Sequence, residues 1–272
     1  MNSDYLALHE HSLEVPYMQE KRRVRVLLPS NYESGTTHYP VVYMHDGQNI
    51  FFSRESYSGY SWKLIPLLKK SENLPPVIIV GIDNSEEKRF DEYMPWGISV
   101  EDEEQKISAG GMGKDYAKWL VETVKPFIDK HYRTKKERKD TILAGSSLGA
   151  VITAYTGAAY PDTFGGLGIF SLASWLCEEA FINYLSANPI NSKSKVYIQS
   201  GTNEGNEEDQ MLTTKDTDQA YIDSSIRYYN TLLGNGHDLD NLSLRIFSGE
   251  YHFEKYWADH FGEFLAFAFN VD

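Results

Sequence analysis

At 272 residues, with 41% hydrophobic residues, the chain is long enough to bury a large core, and neither repeats nor a low-complexity linker divide it. Acidic residues outnumber basic ones 39 to 26, and the basic ones form only short clusters such as Lys21-Arg22-Arg23, so a nucleic-acid partner is not expected. The single cysteine, Cys177, excludes an intrachain disulfide and fits a reducing cytoplasm. Met1 to Glu10 lacks both a basic start and a continuous apolar run, so no signal peptide is expected, and no stretch is long and apolar enough for a membrane partner.

The first segment, Tyr5 to Val15, alternates weakly, and Arg23 to Leu28 alternates cleanly before Pro29 stops it; together they predict an antiparallel pair at a sheet edge. Tyr39 to Met44 reads as a strand buried on both faces and runs into His45-Asp46-Gly47-Gln48. Trp62 to Lys70 has helix spacing, and Val77 to Ile82 is the next buried strand. A charged, aromatic connection of about 83–111 follows. Because it leaves the carboxyl end of a strand, it is expected near the ligand face, with Tyr93 and Trp96 forming a wall toward substrate; a surface loop anchored by its aromatics is the plain alternative.

Met112, Tyr116, Trp119, Leu120, Val124 and Phe127 share one helical face, predicting a long helix that ends near His131. The strand Asp140 to Gly145 then closes in Gly145-Ser146-Ser147-Leu148-Gly149, and a small-residue helix from Leu148 to Tyr160 follows. The remaining chain alternates. Strands are predicted at Gly166–Phe170, Lys195–Gln199 and Leu242–Phe247, and helices at about Glu178–Ala187 and Thr217–Leu233, with a closing helix carrying Trp257, Phe261, Phe264, Leu265 and Ala268 on one face. This order predicts one α/β domain over residues 1–272, with a mostly parallel sheet of about eight strands, helices on both faces, and long loops at about 83–111 and 202–216 near the site.

The pattern G-x-S-x-G suits a sharp strand-to-helix turn that exposes a serine hydroxyl above a sheet. Such a pentapeptide arises by chance in about one chain in ten of this size, so the surrounding elements must carry the assignment. A serine hydroxyl barely ionises at neutral pH and needs a base, which in turn needs an orienting carboxylate. Only residues just past the carboxyl ends of strands can meet Ser147, and of eight histidines that leaves His45 and His252. The chain order serine, acid, histidine selects His252. Glu204, Glu207, Glu208 and Asp209 compete as the acid; Glu204 stands nearest its strand end and is preferred, with Asp209 second. The amide of Leu148, and that of Gln48 in a tight turn permitted by Gly47, are the expected oxyanion donors.

Aromatics make up 14% of the chain, which raises an aryl or sugar pocket drawn from Phe51, Phe52, Trp62, Trp96 and Trp175, with Asn49 beside it; packing into the core is the alternative for each. Cys177 is read as a small buried residue without a role. No metal cluster, phosphate-cradling loop or other cofactor motif is found.

The combination Val-Val-Tyr-Met-His-Asp-Gly-Gln, Arg-x-x-Glu-Tyr, Ala-Gly-Ser-Ser-Leu-Gly, Gly-Thr-Asn-Glu and Tyr-His-Phe-Glu-Lys-Tyr-Trp resembles the putative-esterase branch of the α/β-hydrolases, from about Arg23 to Phe267. That branch includes esterase-D-like, feruloyl-esterase-like and siderophore-ester hydrolases. The resemblance implies Ser147 as nucleophile, His252 as base, an acid in Gly-Thr-Asn-Glu, and Gln48 and Leu148 as oxyanion donors. The expected activity is serine carboxylic-ester hydrolysis of a small-molecule ester without a cofactor. Acyl transfer or thioester hydrolysis on the same residues is the alternative, and a non-catalytic binding module is a more distant one.

Overall fold

The computed structural model describes residues 7–271, apart from residue 72 and residues 102–105. Tyr5 and Leu6, where the first strand was expected to begin, lie outside the described residues. The strand β1, Leu8–Val15, pairs antiparallel with β2, Glu20–Leu27, as the alternation predicted. Then come β3 at Val41–Met44, α1 at Leu64–Lys70 and β4 at Ile78–Ile82.

The segment 83–111 is folded where an irregular loop was expected. It holds a 3-10 turn at Glu86–Lys88, the short helix α2 at Arg89–Tyr93, and a separate antiparallel hairpin of β5, Gly97–Glu101, and β6, Lys106–Gly110. The long helix after it is present as α3, Gly113–Trp119, and α4, Lys125–His131, joined by a π turn at Leu120–Val124. Pro126 stands at the start of α4 and has no N–H to give the ladder, so a widened turn just before it keeps the two halves continuous. The rest runs as β7, Thr141–Ser146; α5, Leu148–Ala159; β8, Gly166–Phe170; α6, Glu178–Ala187; β9, Lys195–Asn203; α7, Glu207–Gln210; α8, Thr217–Gly234; β10, Leu242–Tyr251; and α9, Glu254–Phe269.

The main sheet has eight strands in the order β1-β2-β4-β3-β7-β8-β9-β10. From β4 onward all neighbours are parallel, while β1–β2 and β2–β4 are antiparallel. Residues alternate between the faces of a pleated strand, so β3 is buried throughout by two different cores. Val41 and Tyr43 join Leu143, Leu167 and Ile169 under α3, α5, α6 and α8, whereas Val42 and Met44 join Ile142, Ala144 and Phe170 under α1 and α9. After β3 the chain crosses to β4 on one side and later returns to β7 on the other. That reversal opens a crevice beyond the carboxyl ends of β3 and β7, where sheets of this kind take ligands.

Candidate active site

Ser147 sits between β7 and α5 with φ 59° and ψ −123°, a backbone conformation that costs a non-glycine residue about 1–3 kcal/mol. Two neighbours hold it there. The Ser147 amide donates to the Phe170 carbonyl of β8 at 2.9 Å, and Gly145 lets the turn close, since a Cβ on it would lie 2.6 Å from the Gly149 carbonyl oxygen. Leu148 opens α5, so its N–H precedes the first intrahelical acceptor of the ladder.

β3 pairs with β7, which brings the segment after Met44 beside this turn. The residue of this turn in the left-handed region is Asp46, φ 55°. Gly47 is required for closeness: a Cβ there would stand 2.6 Å from Asp83 Oδ1 and 2.7 Å from the Gly81 backbone. Asp46 holds its strained backbone through its side chain, which accepts Arg89 Nε and Nη2 at 2.7 and 2.9 Å and Asn84 Nδ2 at 2.6 Å. Burial pushes the Asp46 carboxyl up, but the Arg89 charge and these hydrogen bonds outweigh it and hold the group below its ordinary range. Gln48 lies in the 3-10 turn Gly47–Asn49, whose first bond is Asn49 N–H to Asp46 O, so the Gln48 N–H falls ahead of the ladder; its Oε1 accepts Asn84 N–H at 3.1 Å.

β9 and β10 run further than the expected Gln199 and Phe247. A bulge between Phe247 and Tyr251, with Gly249 at φ 78° and its amide on Thr202 Oγ1, lets β10 rejoin β9 at the pair Tyr251–Asn203. The residues that follow this pair are His252 and Glu204, and His252 Nδ1 donates to Glu204 Oε2 at 2.7 Å. Glu204 is fully buried, and its Oε1 takes the Gly201 amide at 2.6 Å and the Ser171 hydroxyl at 2.7 Å. Burial pushes this carboxyl up; the hydrogen bonds from His252, Ser171 and Gly201 prevail and leave it below the ordinary value. An ionised acceptor on Nδ1 leaves Nε2 as the imidazole's free lone pair.

The runner-up acid, Asp209, accepts the Tyr221 hydroxyl at 2.8 Å instead of the imidazole. His45, the other histidine past a strand end, is buried and hydrogen-bonded through Nδ1 to Tyr116 Oη at 2.8 Å. Burial pushes it down to about 3, so it is neutral and packs under the turn.

One aromatic expectation is corrected, and the other residues of that set are placed by their packing. Tyr93 does not face a pocket: it is fully buried, and its hydroxyl accepts the Asp46 amide at 3.1 Å. Phe51 and Trp62 belong to the core around Phe170, Trp257 and Phe261, with Phe52 packed against it. Trp96 packs edge-on against Tyr155, Phe181 and Tyr184 and lines an open groove of about 500 Å³ with Cys177 and Glu178. Asn49 ties its own loop, its Oδ1 accepting Tyr57 N–H and its carbonyl accepting Trp62 N–H. Trp175 meets Tyr221, whose ring lies against His252, edge-on at 5.9 Å. Burial pushes the Cys177 thiol up to about 12, which keeps it protonated and a poor nucleophile.

Four groups went unassigned in the sequence. Ser171, at φ 47° just past β8, accepts the Trp257 indole N–H at 2.7 Å and donates its own hydroxyl hydrogen bond to Glu204, so Trp257 and Ser171 brace the acid from behind. The strand-end rule applied to the histidines would have pointed to Ser171. Arg89 and Asn84 act on the Gln48 turn, and Tyr221 of α8 sets its ring against His252, with centres 4.8 Å apart. A mid-helix tyrosine carries no local signal. Among the described residues no cluster of His, Cys, Asp or Glu could hold a metal ion, and no helix is long and apolar enough to cross a membrane.

A family model described as "Putative esterase" matches residues 15–267. The chain is 26% identical over 241 residues to the uncharacterized protein YbbA of Bacillus subtilis, covering 88% of this chain and 89% of that protein. In fold it is similar to an IroE-like serine hydrolase from Shewanella oneidensis, with a TM-score of 0.74 at 19% identity, over 96% of this chain and 79% of the other. It is likewise similar to the siderophore hydrolase EstA from Aspergillus nidulans, with a TM-score of 0.71 at 16% identity, over 97% and 94% of the two chains.

Proposed function

From the chain's membership of the putative esterase family, a family of hydrolases, we propose that it hydrolyses carboxylic esters through a serine acyl-enzyme. The observation that carries this reading is the buried Glu204 holding the His252 imidazole by Nδ1, in a chain whose Ser147 occupies a strained strand-to-helix turn. Ser147 Oγ attacks the ester carbonyl carbon while its proton passes to His252 Nε2. The carbonyl π electrons move onto oxygen, between the Leu148 and Gln48 amides. Collapse of that intermediate expels the alcohol, which takes the proton from His252. Water then adds to the acyl-enzyme by the same steps, releasing the acid and restoring Ser147.

Glu204 is ionised, fixes the tautomer and stabilises the imidazolium. Asp46, Arg89 and Asn84 hold the Gln48 turn in place, so the second oxyanion donor is set before substrate arrives. Trp175 is the pocket aromatic that the packing favours. The serine hydrolase and the siderophore hydrolase among the structural neighbours are in keeping with a small-molecule ester as substrate.

The test is labelling with a fluorophosphonate followed by a panel of acetyl, butyryl and feruloyl esters. Ser147 should gain the phosphonyl mass, and Ser147→Ala should lose both labelling and turnover by several orders of magnitude with the fold intact. Near-normal hydrolysis of an aryl acetate by Ser147→Ala would sink the assignment.

A further inference from the structure

The loop of residues 52–61 leaves the Gln48 turn and ends against the start of α9. Near its root Asn49 ties it down, with Oδ1 accepting the Tyr57 amide at 3.0 Å and the carbonyl accepting the Trp62 amide at 2.9 Å. Glu55 adds an ion pair to the buried Arg25 at 2.6 Å. At the tip, Ser58 Oγ donates to Glu254 Oε2 at 2.5 Å, and the Tyr60 ring lies 5.6 Å from that of Phe253. Phe253 and Glu254 are the two residues after His252, so the loop is fastened at one end to the Gln48 turn and at the other to the segment that carries the proposed base.

The Ser58 hydroxyl has one hydrogen to give. It goes to Glu254, which leaves the Ser58 oxygen to accept the Tyr60 amide at 3.3 Å, while the Tyr60 carbonyl takes the Ser56 hydroxyl at 2.7 Å. Gly59, at φ 76°, permits the turn between Ser58 and Tyr60. Glu254 is only 6% exposed, and a buried carboxylate depends on the hydrogen bonds it accepts. One buried carboxylate thus fixes the turn that sets the Tyr60 ring beside Phe253.

In ester hydrolysis the leaving oxygen takes its proton from His252 Nε2, so it must come within hydrogen-bond reach of that nitrogen, and whatever it carries extends past the residues around His252. Tyr221 and Trp257 flank the imidazole, with ring centres 4.8 and 5.0 Å away, and Glu204 holds Nδ1. Past it the chain leads to Phe253, half-buried like Tyr60, and to the loop that also presents Tyr57, 84% exposed. We propose that the tip of the 52–61 loop and the start of α9 form the wall of the leaving-alcohol subsite. Tyr60 and Phe253 are its specificity-determining aromatics, suited to an alcohol that bears a planar aromatic ring, and Ser58 with Glu254 is the clasp that positions them. This rests on the serine-hydrolase reading above. The alcohol has left once the acyl-enzyme forms, so the wall acts on acylation and not on hydrolysis of the acyl-enzyme.

The experiment compares wild type, Ser58→Ala, Ser58→Thr and Tyr60→Leu on the acetates of methanol, phenol and naphthol and on the phenyl esters of acetic, butyric and hexanoic acid. It reads kcat/KM, the pre-steady-state rates of acylation and deacylation, and Tm. Ser58→Ala and Tyr60→Leu should each lower kcat/KM on naphthyl acetate, relative to methyl acetate, by about tenfold. Ser58→Thr keeps the hydroxyl and should restore most of the preference. Deacylation of the acetyl-enzyme should move by less than about twofold, and the ranking of acyl chains should stay as in wild type. An equal loss on every alcohol would overturn the proposal, as would a loss that follows the acyl chain, an equal slowing of deacylation, or a fall in Tm with the alcohol preference unchanged. The serine-hydrolase reading is judged separately, by loss of turnover in Ser147→Ala and by fluorophosphonate labelling of the wild type. If that reading fails there is no leaving-alcohol subsite; if it holds and the variants keep the wild-type alcohol preference, this proposal alone falls.

Discussion

Glu204 and His252 leave the sheet side by side because they follow the parallel pair Asn203–Tyr251, and their 2.7 Å hydrogen bond is a consequence of that register. The bulge in β10 makes the register, and Gly249 at φ 78° makes the bulge. If Glu204 orients the base, Glu204→Gln should lower kcat by about two to four orders of magnitude with little change in fold, since an amide can hold the imidazole in the wrong tautomer. Asp209→Asn should cost far less. Steady-state kinetics on one aryl acetate for both variants checks the order, and a larger loss at Asp209 would reassign the acid.

The Asp46–Arg89 pair should matter to stability as well as to rate. Asp46 is nearly inaccessible to solvent, and removing its bidentate partner leaves a buried carboxylate on a left-handed residue. Arg89→Met should destabilise the fold by about 2–4 kcal/mol in urea denaturation and lower kcat. Arg89→Lys should recover only part of this, because a point charge does not reproduce the two-pronged contact. Full recovery by lysine would mean that charge alone holds the turn.

Arg22 and Glu92 form a second buried ion pair at 2.9 Å, with side chains 4% and 0% exposed, and Glu92 also accepts the Tyr17 hydroxyl at 2.5 Å. The Arg22 contact to Glu92 Oε2 is an ion pair and not a well-aligned hydrogen bond. It ties β2 to α2, far from the serine turn in sequence. Glu92→Gln should cost about 3–5 kcal/mol through the uncompensated arginine, and a joint replacement of both by apolar residues should cost less than either single change. Denaturant midpoints of the three variants decide this.

His45 should contribute a pH dependence to stability. Burial pushes its folded value down to about 3 from 6.5, so between those values the unfolded chain binds a proton that the folded chain does not. Its contribution is fully present above about pH 6.5 and is lost as pH falls toward 3, with a limiting slope of ~1.4 kcal/mol per pH unit. Urea denaturation at pH 7 and pH 5 should show a smaller loss for His45→Gln than for wild type. Equal losses would mean that His45 titrates alike in both states.

Much of this was legible in the order of residues. Apolar runs bounded by glycine and proline marked the parallel strands, and the small residues after Ser147 marked the helix on which the serine turn depends. The segment 83–111 was harder. Its helix and hairpin are short, and Tyr93 is drawn into the interior by an amide three elements away, which no local pattern records. Aromatic composition was equally mute about destination: Trp62 and Trp175 look alike in sequence, yet one is core and the other meets Tyr221 beside His252.

The sequence by itself determined the strand-to-helix turn with Ser147 at its apex and the strand end that precedes His252, because turn geometry and strand ends are written in neighbouring residues. Only the tertiary structure decided which carboxylate meets the imidazole, which residue of the β3 turn bears the strain, and that Ser171, Arg89 and Tyr221 surround the site. Those choices depend on parallel register, on a bulge, and on side chains brought together from distant elements, and such distances are settled by packing and by the pairing of buried polar groups.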